Sequence, residues 1–153
     1  MTMSATLLQY LDQQGIPYDL LPHRYTITSM NAASAAHIPA AEIAKPVILR
    51  DNDGFLMAVI PAHEHVKIHE INRILGRNLG LATEKELSPL FSDCDVGAIP
   101  PVGQAFGIET IVDDCLGQCP ELYLEAGDHE DFIHLSSSAY RKLMSQVPHA
   151  KIC

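Results

Sequence analysis

The stretch from Val47 to Ile60 constrains this chain more than any other part of it. Val47-Ile48-Leu49 and Phe55-Leu56-Met57-Ala58-Val59-Ile60 are unbroken apolar runs, with Asp51-Asn52-Asp53-Gly54 between them. An apolar run, a polar turn ending in glycine and a second apolar run make the pattern of a β-hairpin. Further strand-like segments lie at Tyr18 to Leu21, Val96 to Ile99, Thr110 to Val112, Leu122 to Glu125 and Phe132 to Leu135. Helical stretches separate them. Ser4 caps one whose Leu7, Leu8 and Leu11 share a face, and Gly15 suits the left-handed residue past its end. Asn31 to His37 is Ala-rich and stops before Pro39, while Ile68, Ile71, Ile74 and Leu75 recur at helical spacing ahead of Gly76. Thr83 and Glu86 form a capping box that opens a helix toward Leu90, and a last helix covers Ser137 to Met144. Strands interspersed with irregular helices predict a mixed α+β fold on an antiparallel or mixed sheet, not regular βαβ winding.

Length and composition set the outer bounds. The 153 residues suit one domain, and 47% hydrophobic with 19% charged residues is the balance of a packed core. No apolar run is long enough to cross a bilayer, and Met1 to Tyr10 lacks the basic start and apolar stretch of a signal peptide, so the expected location is the cytoplasm. Cys94, Cys115, Cys119 and Cys153 follow no disulfide or knuckle pattern and are expected as free thiols. A net charge of −9 argues against a broad grip on nucleic acid, which needs many Lys and Arg on phosphates, so any RNA contact is local. The 8 histidines soften that acidity below neutral pH.

Three features carry chemistry. Lys45 directly precedes the run Val47 to Leu49, at what reads as the mouth of a sheet, where an ammonium binds a phosphate or hydrogen-bonds a carbonyl. On position alone, a lysine at a strand end is more often a solvated side chain. Gly97-Ala98-Ile99-Pro100-Pro101-Val102-Gly103 follows a strand-like segment as a stiff loop whose N–H groups could meet an oxyanion or a ribose oxygen; the plain alternative is a rigid turn. Ala126-Gly127-Asp128-His129-Glu130 is a glycine turn carrying a histidine beside carboxylates, which suits positioning a water but is also common hairpin chemistry.

Metal chemistry has weaker support. His63, His65 and His69 cluster with Glu64 and Glu70, yet Lys67 stands where H-E-x-x-H needs its second histidine. Cys115 and Cys119 are spaced four apart, unlike a zinc knuckle. No metal and no cofactor is expected. The G-x-S-x-G elbow, the Walker loop and G-x-G-x-x-G are all missing.

Taken in order, Ala44-Lys45-Pro46-Val47-Ile48-Leu49-Arg50, Leu81 to Leu87, Gly97 to Gly103 and Glu125 to Glu130 resemble the YbaK/ProX family of aminoacyl-tRNA deacylases, relatives of the editing domain of bacterial prolyl-tRNA synthetase. The resemblance spans nearly the whole chain and implies one editing domain over residues 1–153, built around a twisted, partly barrel-like mixed sheet with surrounding helices. It also implies hydrolysis of the ester between a small amino acid (Ala, Cys, Ser or Thr) and the 3′-terminal adenosine of tRNA. By the same resemblance Lys45, Gly97 and His129 are catalytic, while Ala98, Ile99, Pro101, Gly103, Gly127 and Asp128 bind substrate. Pro46 departs from the pattern by removing a backbone donor beside the lysine. The implied partner is the aminoacyl-tRNA acceptor end, with a synthetase or elongation factor carrying the rest of the tRNA, and no membrane. Two other readings stand beside this one: a non-catalytic module that binds an aminoacyl or nucleotide group, and a metallohydrolase using His63 to His69.

Overall fold

The hairpin foreseen between Val47 and Ile60 is the longest pairing in the fold. In this computed structural model, which describes residues 3–26, 28–95 and 97–153, β2 (Ile43–Asp51) and β3 (Gly54–Pro61) pair antiparallel from Ala44 opposite Pro61 to Asp51 opposite Gly54. Gly54 takes φ 137°, and Asp51 Oδ1 accepts from the N–H groups of Asp53 and Gly54 at 2.8 and 3.1 Å. Arg77 donates to both Asp51 oxygens, at 2.7 and 2.8 Å, and to Glu109, which ties the turn to the next strand. These hydrogen bonds hold the Asp51 carboxyl down at about 2.

Among the described residues, eight strands form one mixed sheet. Its path runs through β1 (Asp19–Pro22), β7 (Asp131–Ser136), β6 (Glu121–Glu125), β2, β3, β5 (Glu109–Asp113) and β8 (His149–Ala150), with β4 (Gly80–Leu81) on β2 alone. β1–β7, β7–β6, β2–β3 and β2–β4 are antiparallel, whereas β6–β2, β3–β5 and β5–β8 are parallel. Side chains alternate across the sheet. On one face Ala44, Ile48, Met57 and Val59 pack with Leu7 and Leu11 of α1 (Ala5–Gln13) and Tyr140 and Leu143 of α5 (Ser137–Leu143). The opposite face carries Leu49, Leu56, Ala58 and Ile60 under Ile71 of α3 (Ile68–Leu75). A third cluster joins Ile43 and Phe132 to Ala32 and Ala33 of α2 (Ser29–Ala36).

Local signals account for most helix ends. Ser4 Oγ accepts from Leu7 N at 3.2 Å, and Glu86 Oε1 accepts from both the N–H and the hydroxyl of Thr83 at 3.0 Å, opening α4 (Glu84–Leu90). Two expectations need correction. Lys45 does not precede its strand; it lies inside β2, whose pairing with Ala62 and Tyr123 starts at Ile43. No strand runs from Gly97 to Ile99, and Val96 falls outside the described residues. Ala98 to Val102 is buried as irregular chain, because Pro100 and Pro101 offer no N–H to a ladder.

Candidate functional site

β2 has one edge on which the pairing changes partner. β6 pairs with its start, at Ile43 and Ala44, and β4 with its end, at Leu49 and Arg50, so the residues between have no strand partner on that side among the described residues. Ile48 O, on this edge, accepts from Ala82 N at 3.0 Å, whereas Ile43 O points the other way, to Ala62 N at 2.8 Å. Strand alternation therefore turns the Pro46 nitrogen toward the open edge. A proline is tolerated there, because no ladder hydrogen bond is lost. The departure at Pro46 thus coincides with the gap.

The gap is a cavity of about 230 Å³. Lys45, Pro46 and Ile48 line it from β2, Glu84 and Leu87 from α4, and Gly97 and Ile99 from the stiff loop. Burial lowers the Lys45 pKa, against the opposing pull of Glu64 and Cys153. Gly97 holds φ 85°, which suits glycine. Ala98 donates its N–H to Asp95 O at 3.1 Å, so that donor is committed to the loop itself. Pro101 and Gly103 are buried; a Cβ on Gly103 would collide with the Thr110 hydroxyl and stand 3.0 Å from Ile108 O. Gly97 and Ile99 present the loop to the cavity, while Ala98, Pro101 and Gly103 hold it from behind.

The 126–130 turn is fastened to the same loop. Gly127 O accepts from Asp95 N at 2.8 Å and Ala126 O from Ser4 N at 2.7 Å. Asp93 completes the latch by accepting from Ser4 Oγ at 3.0 Å and Thr6 N at 2.8 Å. Burial opposes ionisation of Asp93, but hydrogen bonds from Thr6, Ser4 and Cys94 outweigh it and lower its pKa. Gly127 has φ 102° and sits where a Cβ would be 3.2 Å from Ser4. Asp128 Oδ1 accepts from the N–H groups of Glu130 and Asp131, both at 3.0 Å, so this carboxylate braces its own turn.

His129 is set apart from the cavity. It is 3% exposed, takes φ 62°, packs its ring 5.3 Å from that of Tyr25 and accepts from Thr26 N at 3.2 Å, and it is not among the residues lining the Lys45 cavity. Lys45, Gly97 and Ile99 thus come together, and Gly127 is tied to their loop through Asp95, but His129 does not join them in the cavity.

Sequence reading passed over four residues. Glu84 and Leu87 reach the cavity because the capping box sets the start of α4, a signal that was visible. Asp93 acts across 87 and 89 residues of sequence, which no local spacing betrays. Glu125 is 2% exposed, its Oε2 is buried with no hydrogen-bond partner among the described residues, and burial together with Asp128 and Asp131 raises its pKa to about 8.

Among the described residues, no group of three or more His, Cys, Asp and Glu side chains is placed to hold a metal ion. His63 faces Glu64 at 3.3 Å and His69 faces Glu70 at 3.6 Å. All four cysteines are free thiols. Among the described residues, no helix is long and apolar enough to cross a membrane.

The profile of the aminoacyl-tRNA editing domain matches residues 23–143. The chain belongs to that family. Lys45, the Gly97 loop and the 126–130 turn all fall within the matched stretch of the editing domain, whereas α1, whose Ser4 anchors the turn, lies outside it. No curated protein matches the chain. Among solved structures, the hypothetical protein APE2540 is 24% identical with TM-score 0.84, over 96% of this chain and 98% of that one. A protein described as a candidate trans-editing enzyme for prolyl tRNA synthetase is 19% identical with TM-score 0.84, over 97% and 95%. A signal transduction protein from Marinobacter aquaeolei VT8, itself assigned on a provisional basis, is 17% identical with TM-score 0.76, over 99% of this chain and 31% of that one. At these identities the likeness shows the fold alone.

Proposed function

We propose that the chain is a single editing domain that removes a small, wrongly attached amino acid from tRNA by hydrolysing its ester to the 3′-terminal adenosine. The observation that carries this reading is the meeting of Lys45 with Gly97 and Ile99 at one cavity of about 230 Å³ on the open edge of β2. That volume is below the ~300–1,000 Å³ of pockets for drug-sized ligands, which suits a small aminoacyl group and excludes bulky ones by contact. An aminoacyl ester is already activated, so the site needs an oriented water and donors for the tetrahedral oxyanion, not a strong nucleophile. The N–H groups of Gly97 and Ile99 are the candidate donors, each commonly worth ~2.7–4 kcal/mol. The Lys45 ammonium anchors the terminal phosphate or the ester carbonyl. Glu84 brings a carboxylate to the same cavity, a complement to the α-ammonium that an aminoacyl ester carries. His129 acts, in this reading, by supporting the turn tied to the loop rather than by touching the ester.

The neighbour described as a candidate trans-editing enzyme for prolyl tRNA synthetase supports action in trans beside a synthetase. In this reading a synthetase or elongation factor holds the rest of the tRNA, and the reaction takes place in the cytoplasm. Incubation with tRNAs carrying alanine, cysteine, serine or threonine tests the proposal by loss of ester above a buffer control. Binding without ester loss on every one of them would instead indicate a module that recognises the aminoacyl end and does not cut it.

A further inference from the structure

The chain carries a net charge of −9, so clustered cations on its surface need a reason. Lys67, Arg73 and Lys151, three of its 10 Lys and Arg residues, surround one depression of about 510 Å³ together with His69 and the half-exposed Ile74. Glu70 is the acid in this group, and it is taken up by Arg73 at 2.7 Å and His69 at 3.6 Å. The side chains of His69 and Arg73 are 81% and 70% exposed, and Lys67 and Lys151 are exposed too, so all four side chains stand in solvent where a polyanion can reach them. Two chain segments build the patch. Lys67 opens α3, and its N–H donates to Ile152 O at 2.8 Å, which fixes the Lys151 segment beside it.

The patch is on the side of the sheet that Lys45 shares. Val47 and Leu49 pack into the cluster beneath α3, and strand alternation turns Lys45 to that same face. Glu64, just ahead of Lys67, and Cys153, just after Ile152, are the two groups that act on the Lys45 ammonium. The cations of the patch and the Lys45 ammonium therefore belong to the same face of the sheet.

We infer that Lys67, Arg73, Lys151 and His69 form the docking surface for the phosphate backbone of the tRNA acceptor arm, leading its 3′ end to the cavity at Lys45. The inference rests on the proposed reaction for its partner, because exposed cations alone specify a polyanion and not which one. A few phosphate contacts from a local patch reconcile RNA binding with an acidic chain, since each contact releases counterions whatever the remote charge.

The test is binding of uncharged tRNA, with no ester present, by the full chain across a salt series starting at about 50 mM. Lys67→Glu with Lys151→Glu should weaken binding at least tenfold and lower the slope of log affinity against log salt by about 2, at about 0.9 per phosphate contact. Arg141→Glu with Lys142→Glu makes the same charge change on α5, which packs on the opposite face, and should stay within about twofold of the unmodified chain. Lys67→Ala with Lys151→Ala gives a milder pair, with the same direction expected, and melting curves establish that every variant is folded. Equal weakening by both reversals, unchanged binding by the α3 pair, or no binding of tRNA by the unmodified chain would each overturn the inference. Ester hydrolysis is measured separately, so a chain that binds through α3 but does not deacylate would refute the reaction and leave the docking surface standing.

Discussion

Replacing Glu125 by Gln isolates the cost of a carboxyl buried at the end of β6. Burial first, then the nearby carboxylates of Asp128 and Asp131, move its titration from the ordinary 4.5 to about 8. The folded chain therefore holds a proton that the unfolded chain has released between those two values. Unfolded protein binds fewer protons in that window, so stability falls as pH rises through it. The slope approaches 1.4 kcal/mol per pH unit, and the whole loss is about 5 kcal/mol, a large part of the ~5–15 kcal/mol that holds a domain of this size together. Gln keeps the volume and cannot titrate, so its curve lacks this component. Asp131, raised to about 6 by its hydrogen bond to Asp128, remains in both proteins and cancels in the difference. Urea unfolding at fixed pH from 5 to 8.5 should show the Glu125→Gln protein gaining about 4 kcal/mol on the unmodified one, at unchanged m-value. Any constant offset at pH 5 reflects the extra amide hydrogens and is immaterial. Parallel stability curves across the range would refute the reasoning, because they would mean that Glu125 is solvated or ionised at neutral pH.

Asp93→Ala removes the acceptor of both Ser4 Oγ and Thr6 N. It should cost about 1.5–3 kcal/mol in urea unfolding and reduce deacylation further than a core variant of equal stability, since the loop and the turn lose their shared anchor. Gly103→Ala should lower stability by about 1–3 kcal/mol in thermal melts, because the added methyl meets the Thr110 hydroxyl and Ile108 O. Glu84→Gln should slow hydrolysis of a free aminoacyl-tRNA but not of its N-acetylated form, which has no α-ammonium; an equal effect on both would remove Glu84 from substrate recognition.

Much of the fold was legible where one short stretch of sequence carries the whole cause. Asp51 to Gly54 announces its hairpin because an Asx side chain and a glycine suffice to make the turn. Thr83 and Glu86 announce α4 because the box closes within four residues. β4 and β8 span two residues each, too few for any period to show, and pairing alone defines them. Val96 to Ile99 reads as a strand on composition, but from Gly97 to Ile99 the chain is irregular, ahead of two prolines that cannot donate to a ladder. The cavity was half visible. Lys45 and Gly97 could be named from their setting, whereas Glu84 depends on how α4 meets the open edge of β2. His129 illustrates the converse: its turn was identified, but its ring packs toward Tyr25, a contact set by tertiary folding. The α3 patch was hidden because the sequence scatters Lys67, Arg73 and Lys151 over more than half the chain, and the Lys67 to Ile152 hydrogen bond and the packing of Ile152 with Ile71 draw the two segments together.

The decisive measurement is the rate of ester loss from tRNAs carrying small amino acids, for the unmodified chain and for Lys45→Ala. At least one such tRNA should be deacylated well above the buffer rate, and Lys45→Ala should slow that reaction tenfold or more, about 1.4 kcal/mol of transition-state stabilisation, while melting at nearly the same temperature. No ester loss on any of the tRNAs, or equal rates for the two proteins, would contradict the assignment of hydrolysis to the Lys45 cavity.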